Sequence, residues 1–148
     1  MPKEHVVEIR EIEEGDYPAV LSLWNNELGN RRVTAENIAP HYDKMKDDSR
    51  YKTFVALLDG KVSGLVSSVW SLAVGLDVGF MHITGIAVDK EARGTGIGAK
   101  LLAHMEDYAK SLGICTMLLA CGIKRTDAHA FYRRNGYNKD SWCFDKSL

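Results

Sequence analysis

Residues 51–58 and 61–70 are two β-rich runs separated only by Asp59 and Gly60. An Asp-Gly pair readily takes the positive φ values of a two-residue primed turn, so the runs are predicted to fold back on each other as antiparallel strands. The other elements have to be arranged around that hairpin. Upstream, residues 6–12 carry β-branched side chains at strand spacing, and Glu13, Glu14 and Gly15 punctuate them. Asp16 then reads as an N-cap, with Pro18 in the first turn and Val20, Leu21, Leu23, Trp24 and Leu28 on one helix. After a loop at Gly29, Asn30, Arg31 and Arg32, Thr34 and Asn37 form a capping pair for a second helix to about Lys46. Downstream, residues 80–88 alternate Met81, Ile83, Gly85 and Ala87 with His82, Thr84, Ile86 and Val88. Both sets are mainly small or apolar, which predicts a central strand covered on both faces. A glycine-rich turn follows, then Ile97, Leu101, Leu102, Met105, Tyr108, Ala109 and Leu112 at helical spacing, closed by Gly113. Residues 114–120 read as a further strand, and Thr126 or Asp127 as the cap of a short helix that runs through Arg134 and stops at Gly136. Residues 141–144 read as a last strand. The order predicts an α+β fold, a mixed sheet with helices on both sides.

The chain has 148 residues, the length of one domain, and residues 1–148 are assigned to a single one. Apolar residues at 45% and charged residues at 26% exclude disorder, collagen and coiled coil as descriptions of the whole. The net charge is −1, which argues against binding a nucleic-acid backbone by bulk electrostatics. That neutrality hides a gradient: residues 1–50 carry −4, residues 51–120 carry 0 and residues 121–148 carry +3. Cys115, Cys121 and Cys143 are an odd set without C-x-x-C spacing, so neither a disulfide framework nor a zinc ribbon is supported. The charged opening MPKEHVVEIREIEE lacks a signal-type apolar core. The longest uncharged stretch, 62–76, has 15 residues with four serines and two glycines, too short and polar for a membrane span. A cytoplasmic location is the expectation. His5, His41, His104 and His129 are scattered, and no metal site is expected.

The chemistry concentrates in Arg93-Gly94-Thr95-Gly96-Ile97-Gly98, between a strand and an amphipathic helix. There, unpaired N–H groups and the positive end of the helix favour an anion. Taken alone, the same turn could simply start the helix. Its G-x-G-x-G spacing departs from the dinucleotide pattern G-x-G-x-x-G, and no G-K-[ST] follows.

Arg93-x-x-Gly96-x-Gly98 after Ile86-Ala87-Val88 matches the [QR]-x-x-G-x-[GA] signature of the GNAT superfamily of N-acetyltransferases, which the chain resembles. Some 35 residues on, Ala128-His129-Ala130-Phe131-Tyr132-Arg133-Arg134-Asn135-Gly136-Tyr137 resembles the family's second hallmark, A-x-x-[FL]-Y-x-x-x-G-[FY]. The resemblance extends over the element order of almost the entire chain. It departs at Arg125, where the second motif often has Asn.

The resemblance implies a mostly antiparallel central sheet with one splayed parallel strand pair, and acetyl-CoA as cosubstrate. Backbone N–H groups of Gly94, Thr95, Gly96, Ile97 and Gly98 would hold the pyrophosphate, with Arg93 and Phe131 also placed at the cofactor. The edge of Ile86, Ala87 and Val88 would pair with pantetheine, and a freed N–H near Ile86 or Ala87 would stabilise the oxyanion. Tyr132 resembles the tyrosine that protonates the departing thiolate, although beside Phe131 it also reads as a core aromatic. Relatives that acetylate lysine place a glutamate base four residues before the first pantetheine-pairing residue, and counting back from Ile86 lands on His82. A neutral imidazole can accept a proton near pH 7, so His82 is the candidate base, with Asp77, Glu27 or a water chain as alternatives.

The acidic first third, with Glu27, Glu36, Asp43, Asp47 and Asp48, would steer a cationic amine, and Lys124, Arg125, Arg133 and Arg134 would suit cofactor phosphates. Arg125 could meet a phosphate or simply start the helix. Cys115 and Cys121 read as packing residues, which favours direct transfer in a ternary complex over a cysteine relay. The expected activity is acetyl transfer to a primary amine of a small molecule, peptide or protein lysine, with no nucleic acid or membrane as partner and a homodimer left open. The alternative is a non-catalytic acyl-CoA sensor; a dinucleotide oxidoreductase is remote on the glycine spacing.

Overall fold

The structure, a computed structural model, describes residues 4–148. The chain divides into two compact units, one ending at Leu118 and one spanning Leu119–Leu148. Strand β1 (Val7–Glu11) leads through a short turn into helix α1 (Tyr17–Ser22), which continues as a π-helical turn over Leu23–Glu27. Helix α2 (Ile38–Lys46) precedes strands β2 (Tyr51–Leu58), β3 (Lys61–Ala73) and β4 (Leu76–Val88). Helix α3 (Ile97–Ser111), the three-residue strand β5 (Met117–Leu119) and helix α4 (Thr126–Arg134) complete the order.

The five strands lie in sequence order, and β1 to β4 pair antiparallel. β5 runs parallel to β4, with the Met81 N–H donating to the Thr116 carbonyl at 2.9 Å. Asp59 and Gly60 have φ of +51 and +85, the primed turn that the sequence demanded.

Helices cover both faces. On one, Tyr17, Val20, Leu23, Ile38 and Tyr42 pack on Val55, Leu57, Leu65 and Ala87. On the other, Ile97, Leu101, Leu102, Met105 and Ala109 of α3 are buried, Phe54 meets His104 edge-on at 4.4 Å, and Ser68 reaches the Met105 sulfur. The alternation of β2 supplies both layers, since successive side chains point to opposite sides. Thr34 and Asn37 cap each other reciprocally: the Thr34 N–H donates to Asn37 Oδ1 at 2.8 Å and the Asn37 N–H to Thr34 Oγ1 at 3.2 Å. The helix itself begins at Ile38, later than the cap pair implied.

Several expectations are corrected. Asp16 precedes α1 but does not cap it, because its buried carboxylate turns back to accept from Arg10 Nη1 and Nη2 at 2.7 and 2.9 Å and from the Glu13 N–H at 2.8 Å. Strands β3 and β4 run past the expected ends at Trp70 and Phe80 and meet in a second hairpin at Val74 and Gly75. Cross-strand pairing extends them where exposed Leu72, Val74 and Val78 give no one-sided apolar pattern. The strand expected over 114–120 is confined to Met117–Leu119, because the Ile114 N–H is used to close α3 by donating to Ala109 O. Neither Thr126 nor Asp127 caps α4, since Arg125 occupies the cap position. Residues 141–144 form no strand, and Trp142 and Phe144 are 70% and 93% exposed. Alternation supplies strand propensity, but a strand also needs a ladder partner.

The Arg10–Asp16 pair makes stability pH-dependent. Its hydrogen bond to Arg10 lowers the Asp16 pKa from 3.8, a stabilisation present above that value and lost as pH falls through the depressed folded-state pKa. Asp16→Asn is expected to cost about 1–3 kcal/mol in denaturant unfolding at pH 7. The difference from wild type should shrink in the same measurement near pH 3.

Candidate active site

The glycine turn is built by backbone conformation. Gly94 and Gly96 both have φ of +81, and a Cβ on either would meet nothing within 4 Å. The left-handed backbone, not crowding, is what requires glycine there. The turn is anchored upstream by the Asp89 N–H on Ser63 O at 2.8 Å and by Asp89 Oδ1, which accepts from the Glu91 N–H at 2.9 Å. Lys100 N–H donates to Gly96 O, the first bond of the helical ladder, so the N–H groups of Ile97, Gly98 and Ala99 have no partner within the helix. No acidic side chain lies in the first turn of α3. Its positive end therefore faces no carboxylate of its own helix, a cradle suited to an anion.

Arg93 turns elsewhere. Its Nη2 donates to Glu27 Oε2 at 2.7 Å, while Glu27 Oε1 accepts from the Lys90 N–H at 3.2 Å. Glu27 is therefore already engaged and is a poor candidate for a free base.

Strand β4 contains a bulge. Ser67 pairs with Gly85 and Ser68 with Ile83, so Thr84 is the extra residue. A regular strand would put His82 and Ile86 on one face. The bulge reverses that parity: His82, opposite Val69, shares the face of Gly85 and Ala87, the face covered by α1 and α2. Ile86 pairs with Val66 and points to the other face, beneath α3. From the Met81–Thr116 bond, three-residue β5 runs alongside β4 to about Thr84, so Ile86, Ala87 and Val88 lie beyond its end. Asp77 sits nine residues before Ile86 on the same long strand, roughly 30 Å away at about 3.3 Å per residue.

One feature had no sequence signal beyond Gly85 itself, a glycine inside an apolar strand. The six-membered ring of Trp24 lies against the Gly85 backbone, and a Cβ there would be 2.3 Å from Trp24 Cη2. The indole is fixed by Nε1, which donates to the Tyr42 hydroxyl at 2.9 Å; that hydroxyl contacts Ser67 Oγ at 3.3 Å, and Ser67 contacts Thr53 Oγ1 at 2.9 Å. Burial pushes the Tyr42 pKa up, keeping the phenol neutral within this chain of hydroxyls.

In the unit formed by residues 119–148, Tyr132 lies half-buried on α4 between Phe131 and Tyr137, with ring centroids 5.3 and 6.0 Å away. Its hydroxyl makes no hydrogen bond among the described residues. Desolvation raises its pKa, with Cys121 adding to the shift and Arg125 opposing it, so the phenol holds its proton at neutral pH. Arg125 is exposed, and Gly122 O accepts from its N–H at 3.0 Å and contacts His129 Nε2 at 2.8 Å. No group of three or more potential metal ligands occurs among the described residues, and no described helix is long and apolar enough to cross a membrane.

A mixed sheet whose parallel β4–β5 pair is joined through a glycine turn and helix α3 is the fold of acyl-CoA-dependent N-acetyltransferases. The chain belongs to the Acetyltransferase (GNAT) family, whose model matches residues 7–137. It is 35% identical over 94 residues to the aminoalkylphosphonate N-acetyltransferase of Salmonella typhimurium, an alignment covering 64% of this chain and 61% of that enzyme. The chain spans between 49% and 61% of the length of the curated relatives it matches. Among solved structures, a transcriptional regulator from Bacillus halodurans C-125 superposes with a TM-score of 0.90 at 23% identity, covering 97% of this chain and 100% of that one. An aminoglycoside N-acetyltransferase in complex with CoA gives a TM-score of 0.85 at 14% identity, covering 100% and 98%. At these identities the two structures speak for the fold.

Proposed function

We propose that this chain, as one acetyltransferase domain, transfers the acetyl group of acetyl-CoA to a primary amine by direct attack in a ternary complex. The observation that carries the reading is the open backbone cradle of residues 94–98 at the N-terminus of α3. Gly94, Thr95, Gly96, Ile97 and Gly98 hold the pyrophosphate through N–H groups, and the edge of Ile86, Ala87 and Val88 receives the pantetheine amides. Acetyl-CoA supplies an activated acyl carbon. An N–H near Ile86 or Ala87 stabilises the charge that develops on the carbonyl oxygen. As the amine nitrogen bonds to that carbon, the carbon–sulfur bond breaks. The proton for the sulfur is assigned to Tyr132 on its match to the family's motif, and burial keeps that phenol protonated.

The proton of the amine goes to His82, directly or through water. His82 shares its face of the sheet with Gly85 and Ala87, the face covered by α1 and α2, and the net charge of −4 over residues 1–50 would favour a cationic acceptor. The aminoalkylphosphonate relative is named for an acceptor that carries an amine, in keeping with this class. The location that suits the reading is cytoplasmic.

Saturating acetyl-CoA should raise the thermal midpoint. A ligand at a hundred times its Kd adds about 2.7 kcal/mol, roughly 5–10 °C for a domain of this size. No shift at saturation would contradict the reading.

A further inference from the structure

The π-helical turn Leu23–Glu27 ends the first helix and carries one side chain to strand β4 and another to the turn after it. Trp24 lies on Gly85, and Glu27 reaches Lys90 and Arg93, residues 63 and 66 positions along the chain. A π-bulge re-aims side chains relative to a regular helix and commonly marks a functional position. The Glu27 side chain is only 12% exposed although its partner Arg93 is 64% exposed, so the carboxylate is the fixed member of the pair and the guanidinium the tethered one.

Each carboxylate oxygen has a separate task. Oε1 accepts the Lys90 N–H at 3.2 Å, at the start of the short helical turn Lys90–Ala92, and Oε2 binds Arg93 at its end. Both ends of the segment that delivers the chain into Gly94 are thus tied to one rigid group. Trp24, three residues earlier, is itself fixed by the Tyr42 hydroxyl and pressed on the strand, which holds the base of the strut.

We infer that Glu27 is a positioning residue for the phosphate turn: it touches neither the cofactor nor the acceptor, and it sets the direction in which the N–H groups of residues 94–98 point by clamping Lys90 and Arg93. This rests on the proposed binding of CoA at that turn. Arg93 then acts chiefly as the far end of the clamp, and its charge is balanced by Glu27. Phosphate recognition falls to the backbone, for which a fixed direction matters more than an added charge.

The test uses the full chain and CoA itself. Glu27→Gln keeps size and one acceptor but loses the charge-assisted bond to Arg93. It is expected to raise the KM for acetyl-CoA and the calorimetric Kd for CoA about tenfold, the scale of a lost charged hydrogen bond. The kcat at saturating cofactor should stay within about twofold. Arg93→Met should do the same, and the double variant should be no worse than either single one, because the two residues work as a unit.

Losses that add in the double variant would overturn the inference, since Arg93 would then serve the phosphates independently of Glu27. Tighter CoA binding by Glu27→Gln would overturn it too, because the carboxylate would be opposing the anion. A drop in kcat alone would make Glu27 part of the proton path and likewise reject the clamp. Failure of the wild-type chain to bind CoA would remove the underlying functional reading, and is seen before any variant is compared.

Discussion

Tyr132→Phe is expected to lower kcat by about 100-fold or more while the Kd for CoA changes by less than about threefold. The substitution removes one oxygen and leaves the ring between Phe131 and Tyr137, so packing on α4 is preserved. Only the proton on that oxygen is lost. Burial raises the pKa of the phenol, which keeps the acid loaded through neutral pH and sets the direction of the pH profile. The decline of wild-type kcat on the alkaline side that reports this group should lie above the ordinary tyrosine value of about 10. In Tyr132→Phe that limb should be absent from the residual rate. Stopped-flow measurement of thiol release over pH checks both statements, and an unchanged kcat would remove Tyr132 from its role.

Gly85→Ala is expected to destabilise the fold by about 1–3 kcal/mol, the usual range for forcing a methyl into filled space. The added Cβ would lie 2.3 Å from Trp24 Cη2 and 3.0 Å from Cζ2 and Cζ3. An indole held through Nε1 by Tyr42 cannot swing aside as a flexible side chain could. Either the ring leaves Tyr42 or strand β4 moves at its bulge. Trp24→Phe removes the outer ring and should relieve the clash, so the double variant is expected to be more stable than Gly85→Ala alone, although Trp24→Phe by itself is destabilising. Urea unfolding of the four proteins measures the coupling. Strict additivity would show that the close approach does not decide why residue 85 is glycine.

What the sequence made legible was local. Asp59-Gly60 announced its hairpin because the turn needs two positive φ values, and the end of α4 at Arg134 followed from a stop at Gly136. The glycine turn was readable for the same reason, since Gly94 and Gly96 are positions whose conformation few other residues adopt. What stayed hidden depended on partners far along the chain. The Thr84 bulge is a mismatch between β3 and β4, marked in β4 only by the neighbouring Gly85, yet it decides that His82 lies on the opposite face from Ile86. The strut from Glu27 to Arg93 joins residues 66 apart, one read from the sequence as part of the acidic first third and the other as part of the glycine motif.

The charge gradient gains a structural partner in the same way. Part of the acidic charge of residues 1–50 is spent on internal ties, Asp16 to Arg10 and Glu27 to Arg93. Asp43 likewise accepts from the Tyr17 hydroxyl and pairs with Lys46, while Glu36 and Asp47 remain exposed beside α2.

The most direct test of acetyl transfer is thiol release from acetyl-CoA by the wild-type chain across a panel of aminoglycosides, aminoalkylphosphonates, polyamines, amino acids and lysine peptides. The account predicts that at least one primary amine releases CoA in step with formation of its N-acetyl product, with initial rates that depend on both substrates in the intersecting pattern of a ternary complex. CoA binding without release by any amine of the panel would contradict it and leave an acyl-CoA sensor.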